Sequence, residues 1–150
     1  MIITFIGHST LSSDKNLTQK LLKTIKDNIQ GEEQVSFYCG GYGDFDNLCA
    51  ATCQKIKMDF SSCEIVYVTP YFSPNHQHKI GRLIDSKLYD KSIYPPIESV
   101  PLRLAILKRN EWMISSADLI IACVYHSFGG AYKSLQFALR KKKRVINIAQ

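Results

Sequence analysis

Short apolar runs suited to buried strands alternate along this chain with segments whose apolar residues recur every three or four positions. That alternation constrains the fold more than any other feature, because strands separated by helices and buried on both faces belong to parallel sheets. Residues 2–6 form the first apolar run, and residues 14–30 place Leu17, Leu21, Leu22, Ile25 and Ile29 on one helical face, with Ser13 or Asp14 as the cap. Val35 to Cys39 is a second strand, and a helix follows from about Asp44 to Met58. Cys63 to Thr69 is a third strand. Ser99-Val100-Pro101 opens another helix, since serine caps well and proline is tolerated in the first turn. That helix runs to about Ser115, Leu119 to Val124 is the fourth strand, Gly130 to Lys142 a helix, and Val145 to Ile148 the fifth strand. The expectation is a three-layer, Rossmann-like α/β sandwich with a five-stranded parallel sheet in an order such as 3-2-1-4-5, formed by one domain over residues 1–150.

Residues 70–98 resist the scheme. They hold Pro70, Pro74 and Pro95-Pro96 and read as a long lid or binding loop, with Tyr71, Tyr89 and Tyr94 able to stack on a planar ligand.

Composition excludes several classes. A hydrophobic share of 45% with 21% charged residues is that of a globular domain rather than a disordered tail or coiled coil. No run of apolar residues is long enough to span a membrane, and Met1 to Ile6 lacks the basic leader of a signal peptide, so a cytoplasmic location is expected. The net charge of +6 is concentrated in Arg140-Lys141-Lys142-Lys143-Arg144. The rest of the chain is nearly neutral, so a nucleic-acid partner is not expected; a cationic cluster at a helix end complements the dipole there. The five cysteines (Cys39, Cys49, Cys53, Cys63, Cys123) have no C-x-x-C pair and read as small core residues. His76 and His78 have a ligand-like spacing but no nearby third ligand, and no metal or other cofactor is expected.

The unusual residues fall at the ends of strands, where a parallel sheet binds its ligand. Gly7-His8-Ser9 follows the first strand, Gly40-Gly41-Tyr42-Gly43 the second, Pro70-Tyr71 the third, and Tyr125 to Gly130 the fourth. Both glycine pairs open helices and can present free backbone N–H groups. The first leads into Asp44 and Asp46, whose charges oppose a phosphate and suit sugar hydroxyls. The second leads into Ala131-Tyr132-Lys133-Ser134, which adds an ammonium and a hydroxyl. A phosphate is therefore assigned to Gly129, Gly130, Lys133 and Ser134, and a ribose to Gly40, Gly41, Gly43 and Asp46. The first turn has one glycine where G-x-G-x-x-G needs three, and neither a Walker motif nor G-x-S-x-G occurs.

Arg109 lies on the apolar stripe of its helix with Ala105, Ile106, Trp112 and Met113, so its guanidinium points inward and needs a partner. A ligand phosphate or carboxylate is one candidate; Glu98 or Asp118 is the structural alternative. His8 and His126 are either proton donors near neutral pH or satisfied turn residues.

FIGHS after the first strand, CGGYGDFDNLCA after the second, the R-N-x-W-M segment at Arg109-Asn110, A-D at Ala117-Asp118, G-G-A at Gly129–Ala131 and a terminal KKKRVINI together resemble the SLOG superfamily. That group is similar to the DprA and LOG proteins, and the small YpsA-like bacterial or phage members are the branch this chain looks like. The resemblance implies a Rossmann-like fold that binds nucleotides or nucleotide-derived molecules. LOG enzymes cleave the N-glycosidic bond of nucleoside monophosphates with an arginine in R-x-x-x-M, which Arg109 and Met113 match. They also use a glutamate in G-G-x-G-T-x-x-E; here the stretch reads Gly129-Gly130-Ala131-Tyr132-Lys133-Ser134 and carries no glutamate.

Two functions lead on the residues: a module that senses or sequesters a nucleotide-type small molecule, and an enzyme that breaks or transfers an N-glycosidic bond. A DprA-like single-strand binder is a third, which needs a basic groove with stacking aromatics, whereas the basic run precedes the fifth strand, at the sheet edge opposite the crevice. The enzyme needs a carboxylate against the sugar. Glu98 is first choice, because it ends the lid just before the helix bearing Arg109, the other catalytic candidate; Asp46 is second, and Asp90 and Glu111 follow. The ligand set is then Gly7, His8, Ser9, Gly40, Gly41, Gly43, Asp46, Tyr71, Asn110, Gly129, Gly130, Lys133 and Ser134. No feature fixes the oligomeric state, and a homodimer stays open.

Overall fold

The computed structural model describes every residue except Ser13 and Gln150. Among the described residues six parallel strands form one sheet: β1 (Ile2–Gly7), β2 (Val35–Cys39), β3 (Cys63–Val68), β4 (Lys91–Ile93), β5 (Leu119–Cys123) and β6 (Val145–Asn147), in the order β4-β3-β2-β1-β5-β6. Five helices connect them: α1 (Leu17–Ile29), α2 (Asp44–Asp59), α3 (Pro74–Asp85), α4 (Ala105–Ser116), entered through a 3-10 turn at Leu102–Leu104, and α5 (Gly129–Arg140). This is the expected three-layer α/β architecture. The strand count is corrected from five to six.

The extra strand lies in the segment expected to be a lid. Ser73 caps α3, its hydroxyl accepting the His76 amide at 3.3 Å, and Pro74 occupies the first turn. The proline therefore opens a helix rather than breaking structure. Ile80, Leu83 and Ile84 then pack onto the core at helical spacing. β4 pairs with β3 through Val66–Lys91, Tyr67–Ser92 and Val68–Ile93, which makes the segment the outer edge of the sheet.

Alternate residues of the strands feed two faces. Ile3, Phe5, Val35, Phe37, Ile65, Leu119 and Ile121 pack against α1, α2 and α3. Ile6, Ile120, Ala122 and Val124 pack against Ile114 of α4 and Ala138 of α5, while Val66 and Val68 meet Met113. All five cysteines are buried free thiols, as core packing requires. Of the candidate caps for α1, Ser13 lies outside the described residues; Asp14 Oδ1 accepts the Asn16 amide at 2.9 Å, and Asn16 precedes the helix. In the basic run, Lys143 Nζ donates to the Ser115 and Ala117 carbonyls at the end of α4, at 2.9 and 3.1 Å, and Arg144 donates to Asn28. Among the described residues no helix is long and apolar enough to cross a membrane.

Strand order reverses at β1. The chain fills one side through β2, β3 and β4, then crosses to β5 and β6 on the other. The crevice beyond the carboxyl ends of β1 and β5 is therefore where a parallel sheet of this kind leaves room for a ligand.

Candidate functional site

A cavity of about 430 Å³ occupies that crevice. Its walls come from the β1 turn (Gly7 to Thr10), the inner face of α4 around Arg109, and the start of α5, with Tyr42 and Asp46 reaching in from the β2–α2 turn. The β1 and β5 turns are tied together by His8. Its Nε2 accepts the amides of Tyr125 and His126 at 3.2 and 3.3 Å, so the ring is the neutral Nδ1–H tautomer. Burial, then the neighbouring His126, holds its pKa below the usual value, in keeping with an acceptor. The Tyr125 hydroxyl adds a bond from the Ser12 amide and one to the Thr10 carbonyl.

Arg109 is 1% exposed and its partners are not those expected. Nη1 donates to the carbonyls of Gly40 and Val68 at 2.8 and 2.6 Å, and Nε donates to Asn110 Oδ1 at 2.9 Å. The guanidinium thus buttresses the ends of β2 and β3. Asp118 is engaged elsewhere, accepting the Ile2 amide at 2.7 Å, and Glu98 is exposed. The carboxylate facing Arg109 is Asp46. Its Oδ2 accepts the Tyr42 amide at 3.0 Å. Burial pushes its carboxyl up to about 6, against the opposing pull of that amide and of Arg109. Gly40 lets the two groups converge: a Cβ there would stand 3.0 Å from Asp46 Oδ2 and 3.1 Å from Arg109 Nη2.

At the opposite wall α5 begins without a side-chain cap, and Gly129 adopts a positive φ of 90°. Nothing stands within 4 Å of where a Cβ of Gly129 or Gly130 would be, and both residues line the cavity. Ser134 is 3% exposed, lines the cavity, and its hydroxyl has no hydrogen-bond partner among the described residues. A buried unpaired hydroxyl is costly, on the order of 1–3 kcal/mol, and points to a missing partner. At the rim, the His126 and Phe128 rings stack with centroids 4.8 Å apart and planes at 20°.

Of the residues expected to form the site, Gly7, His8, Ser9, Asp46, Arg109, Asn110, Gly129, Gly130 and Ser134 line this cavity. Others do not. Lys133 is exposed and lines a groove between α4 and α5 with Leu107 and Glu111; Ser134, about 100° around the helix, borders both this groove and the cavity, whereas Lys133 borders the groove alone. Glu98 is not part of the cavity wall. Gly41 packs under the Tyr67 ring and borders a separate cavity of about 260 Å³ against α3. Gly43 is the residue before α2, with φ of 96°, and lies against Ser9. Tyr71 meets His76 edge-on, Tyr94 meets Phe72, and Tyr89 is buried against Tyr67; none of the three lines the main cavity. Tyr42 and Phe128 line the cavity as well, and their only sequence signal is an aromatic residue beside a glycine turn. His76 and His78 stand on α3, and no group of three potential metal ligands exists among the described residues.

The fold is that of a Rossmann-like α/β domain with its cavity at the strand-order reversal. No family model matches the chain, and no curated protein matches its sequence. Solved structures do share its fold. DNA processing protein A from Helicobacter pylori, described for its single-stranded DNA binding mode, superposes with a TM-score of 0.63 and 16% identity over 97% of this chain. DNA processing protein A (DprA) from Streptococcus pneumoniae gives 0.61 and 16% over 95%. The molybdenum cofactor carrier protein of Chlamydomonas reinhardtii gives 0.58 and 13% over 99% of this chain and 76% of its own. The chain spans 63% and 48% of the two bacterial proteins.

Proposed function

We propose that the crevice binds a nucleotide or nucleotide-derived molecule, and that the protein is a sensing or sequestering module of SLOG type. The phosphate sits at the N-terminus of α5 and the sugar is directed toward Asp46. One observation carries the reading: the uncapped start of α5 lines the cavity together with Ser134, whose buried hydroxyl has no hydrogen-bond partner among the described residues. A helix N-terminus favours an anion through its free N–H groups and dipole, and Ser134 adds a neutral donor. The Lys133 ammonium, exposed along the other groove, has no part in it. The His126–Phe128 stack offers an aromatic face at the rim for a planar base. A volume of about 430 Å³ falls in the range of small-molecule pockets. The two kinds of structural neighbour, one described for binding single-stranded DNA and one named for carrying the molybdenum cofactor, support the use of this fold to hold a ligand.

A mononucleotide-sized ligand is preferred over a nucleic-acid strand. The exposed cations Arg140 to Lys142 lie at the far end of α5 from the cavity, roughly 17 Å away at 1.5 Å per residue. A strand-binding groove needs its basic and aromatic residues together. Of these cations, Arg140 and Lys141 meet an aromatic ring at Phe137, outside the cavity, and no lysine among the described residues lines the cavity.

Asp46 favours a second reading, N-glycosidic bond hydrolysis or transfer. A cavity carboxyl with a pKa of about 6 can exchange a proton near neutral pH. In that reading Asp46 takes the place of Glu98. The test is calorimetric titration with ribonucleoside monophosphates, the matching nucleosides and a short single-stranded oligonucleotide, followed by assay for free base. Monophosphates are expected to bind at least tenfold more tightly than nucleosides, with Ser134→Ala reducing that preference. Tighter binding of the oligonucleotide, or no preference for phosphate, contradicts the proposal. Released base selects the enzyme.

A further inference from the structure

Arg109 has one guanidinium nitrogen with work left to do. Nε and Nη1 are bonded to Asn110, Gly40 and Val68, whereas Nη2 donates to no group among the described residues. Among the described residues Asp46 is the only carboxylate lining the cavity, and only its Oδ2 is engaged, by the Tyr42 amide. The two do not form an ion pair. Yet both stand close to the point that a Gly40 Cβ would occupy, Oδ2 at 3.0 Å and Nη2 at 3.1 Å, so the gap between them is no wider than those two distances together. An oxygen that makes two hydrogen bonds of about 2.8 Å spans roughly 4.5 to 5.5 Å between its partners. The two groups thus stand farther apart than an ion pair and no farther than those two distances together, a range that includes the span of one bridging oxygen. Such an oxygen is flanked by a donor that cannot accept and an acceptor that, when ionised, cannot donate.

A hydroxyl satisfies both sides at once: it accepts from the guanidinium and donates to the carboxylate. A phosphate or carboxylate oxygen would satisfy Arg109 and repel Asp46. An amine would do the reverse. We propose that Asp46 and Arg109 Nη2 clasp a single hydroxyl of the ligand's sugar, and that this clasp makes the crevice select ligands with a free sugar hydroxyl over their deoxygenated counterparts. The inference rests on the nucleotide reading above and adds to it the group that is read and the residues that read it. It also explains the charge pattern of the cavity. The anion is drawn to the end bearing free amides and excluded from the end bearing Asp46, so the ligand has one orientation. Gly40 belongs to the device, since any side chain there would occupy the gap.

The experiment compares ribonucleoside monophosphates with their 2′-deoxy, 3′-deoxy and 2′,3′-dideoxy forms by calorimetry near pH 8, on the intact chain and on Asp46→Asn. The amide of the variant still accepts from Tyr42, so the turn is preserved. In the parent protein, loss of the clasped hydroxyl is expected to weaken binding by about tenfold to a hundredfold, the range for hydrogen bonds to charged groups. Asp46→Asn is expected to shrink that ratio to within about threefold. Gly40→Ala provides a second test: its methyl fills the gap, so it too is expected to lose the discrimination, with a native circular dichroism spectrum confirming the fold. Equal binding of all four forms by the parent protein overturns the clasp and leaves the nucleotide reading standing. Undiminished discrimination in Asp46→Asn also overturns the clasp. Failure of every monophosphate to bind overturns both.

Discussion

Replacing Asp46 by asparagine is expected to make the free protein more stable at alkaline pH, although it removes the carboxylate facing a buried arginine. Asp46 sits where burial outweighs the attraction of Arg109 and the Tyr42 amide, and its pKa rises from 3.8 to about 6. A carboxyl with a raised native pKa holds its proton more tightly when folded than when unfolded. Its contribution to stability is then complete below about pH 4 and is lost as pH rises through 6. The shift is about two units, and at 1.36 kcal/mol per unit the ionised state forfeits up to about 3 kcal/mol. Asparagine resembles the protonated side chain and keeps the bond from Tyr42. Urea unfolding of both proteins at pH 4 and pH 8 separates the possibilities. At pH 8 the variant is expected to gain up to about 3 kcal/mol, or roughly 6 to 12 °C in midpoint for a chain of this size, and at pH 4 the two are expected to match. A variant less stable than the parent at pH 8, by more than at pH 4, would refute the reasoning. It would mean that Asp46 and Arg109 stabilise one another as an ordinary buried pair.

Gly7→Ala is expected to destabilise the fold by about 3 kcal/mol, because its Cβ would overlap the Phe45 ring; chemical denaturation measures it, and a loss under 1 kcal/mol would contradict that packing. Lys143→Ala removes the donor that closes the end of α4 and is expected to lower stability by about 1–2 kcal/mol with no change in ligand binding. Weaker nucleotide binding in that variant would place the basic run in the ligand site after all.

Much of this architecture is legible in the residues. The runs Val35–Cys39 and Leu119–Cys123 announce buried strands, and the stripe Leu17, Leu21, Ile25, Ile29 announces α1. Residues 70–98 were harder because the same residue type carries two meanings. Pro74 ends a helix at most positions but starts one after a capping serine, and the later apolar triplet Ile80, Leu83, Ile84 was the signal that distinguishes them. β4 has only three residues, two of them polar, and is defined by its neighbour β3 rather than by its own pattern. The inward course of Arg109 could be read from its helical position. Its partners could not, since the carbonyls of Gly40 and Val68 carry no residue-type signature. Glu98 ends the segment just before the helix bearing Arg109, whereas Asp46, far away in the chain, is the acid that the topology brings to the cavity. Lys133 shows the reverse error: adjacent in sequence to Ser134, it is turned away by the helical twist.

The central claim is that a phosphate-bearing ligand occupies the crevice with its phosphate at the start of α5. Amide-resolved NMR titration with a ribonucleoside monophosphate tests it most directly. The expected result is saturable shifts concentrated at Gly129, Gly130, Ala131 and Ser134, with smaller ones at Gly40 to Asp46. Shifts confined to the groove of Lys133 or to the basic run beyond Arg140, with the start of α5 unmoved, would contradict it.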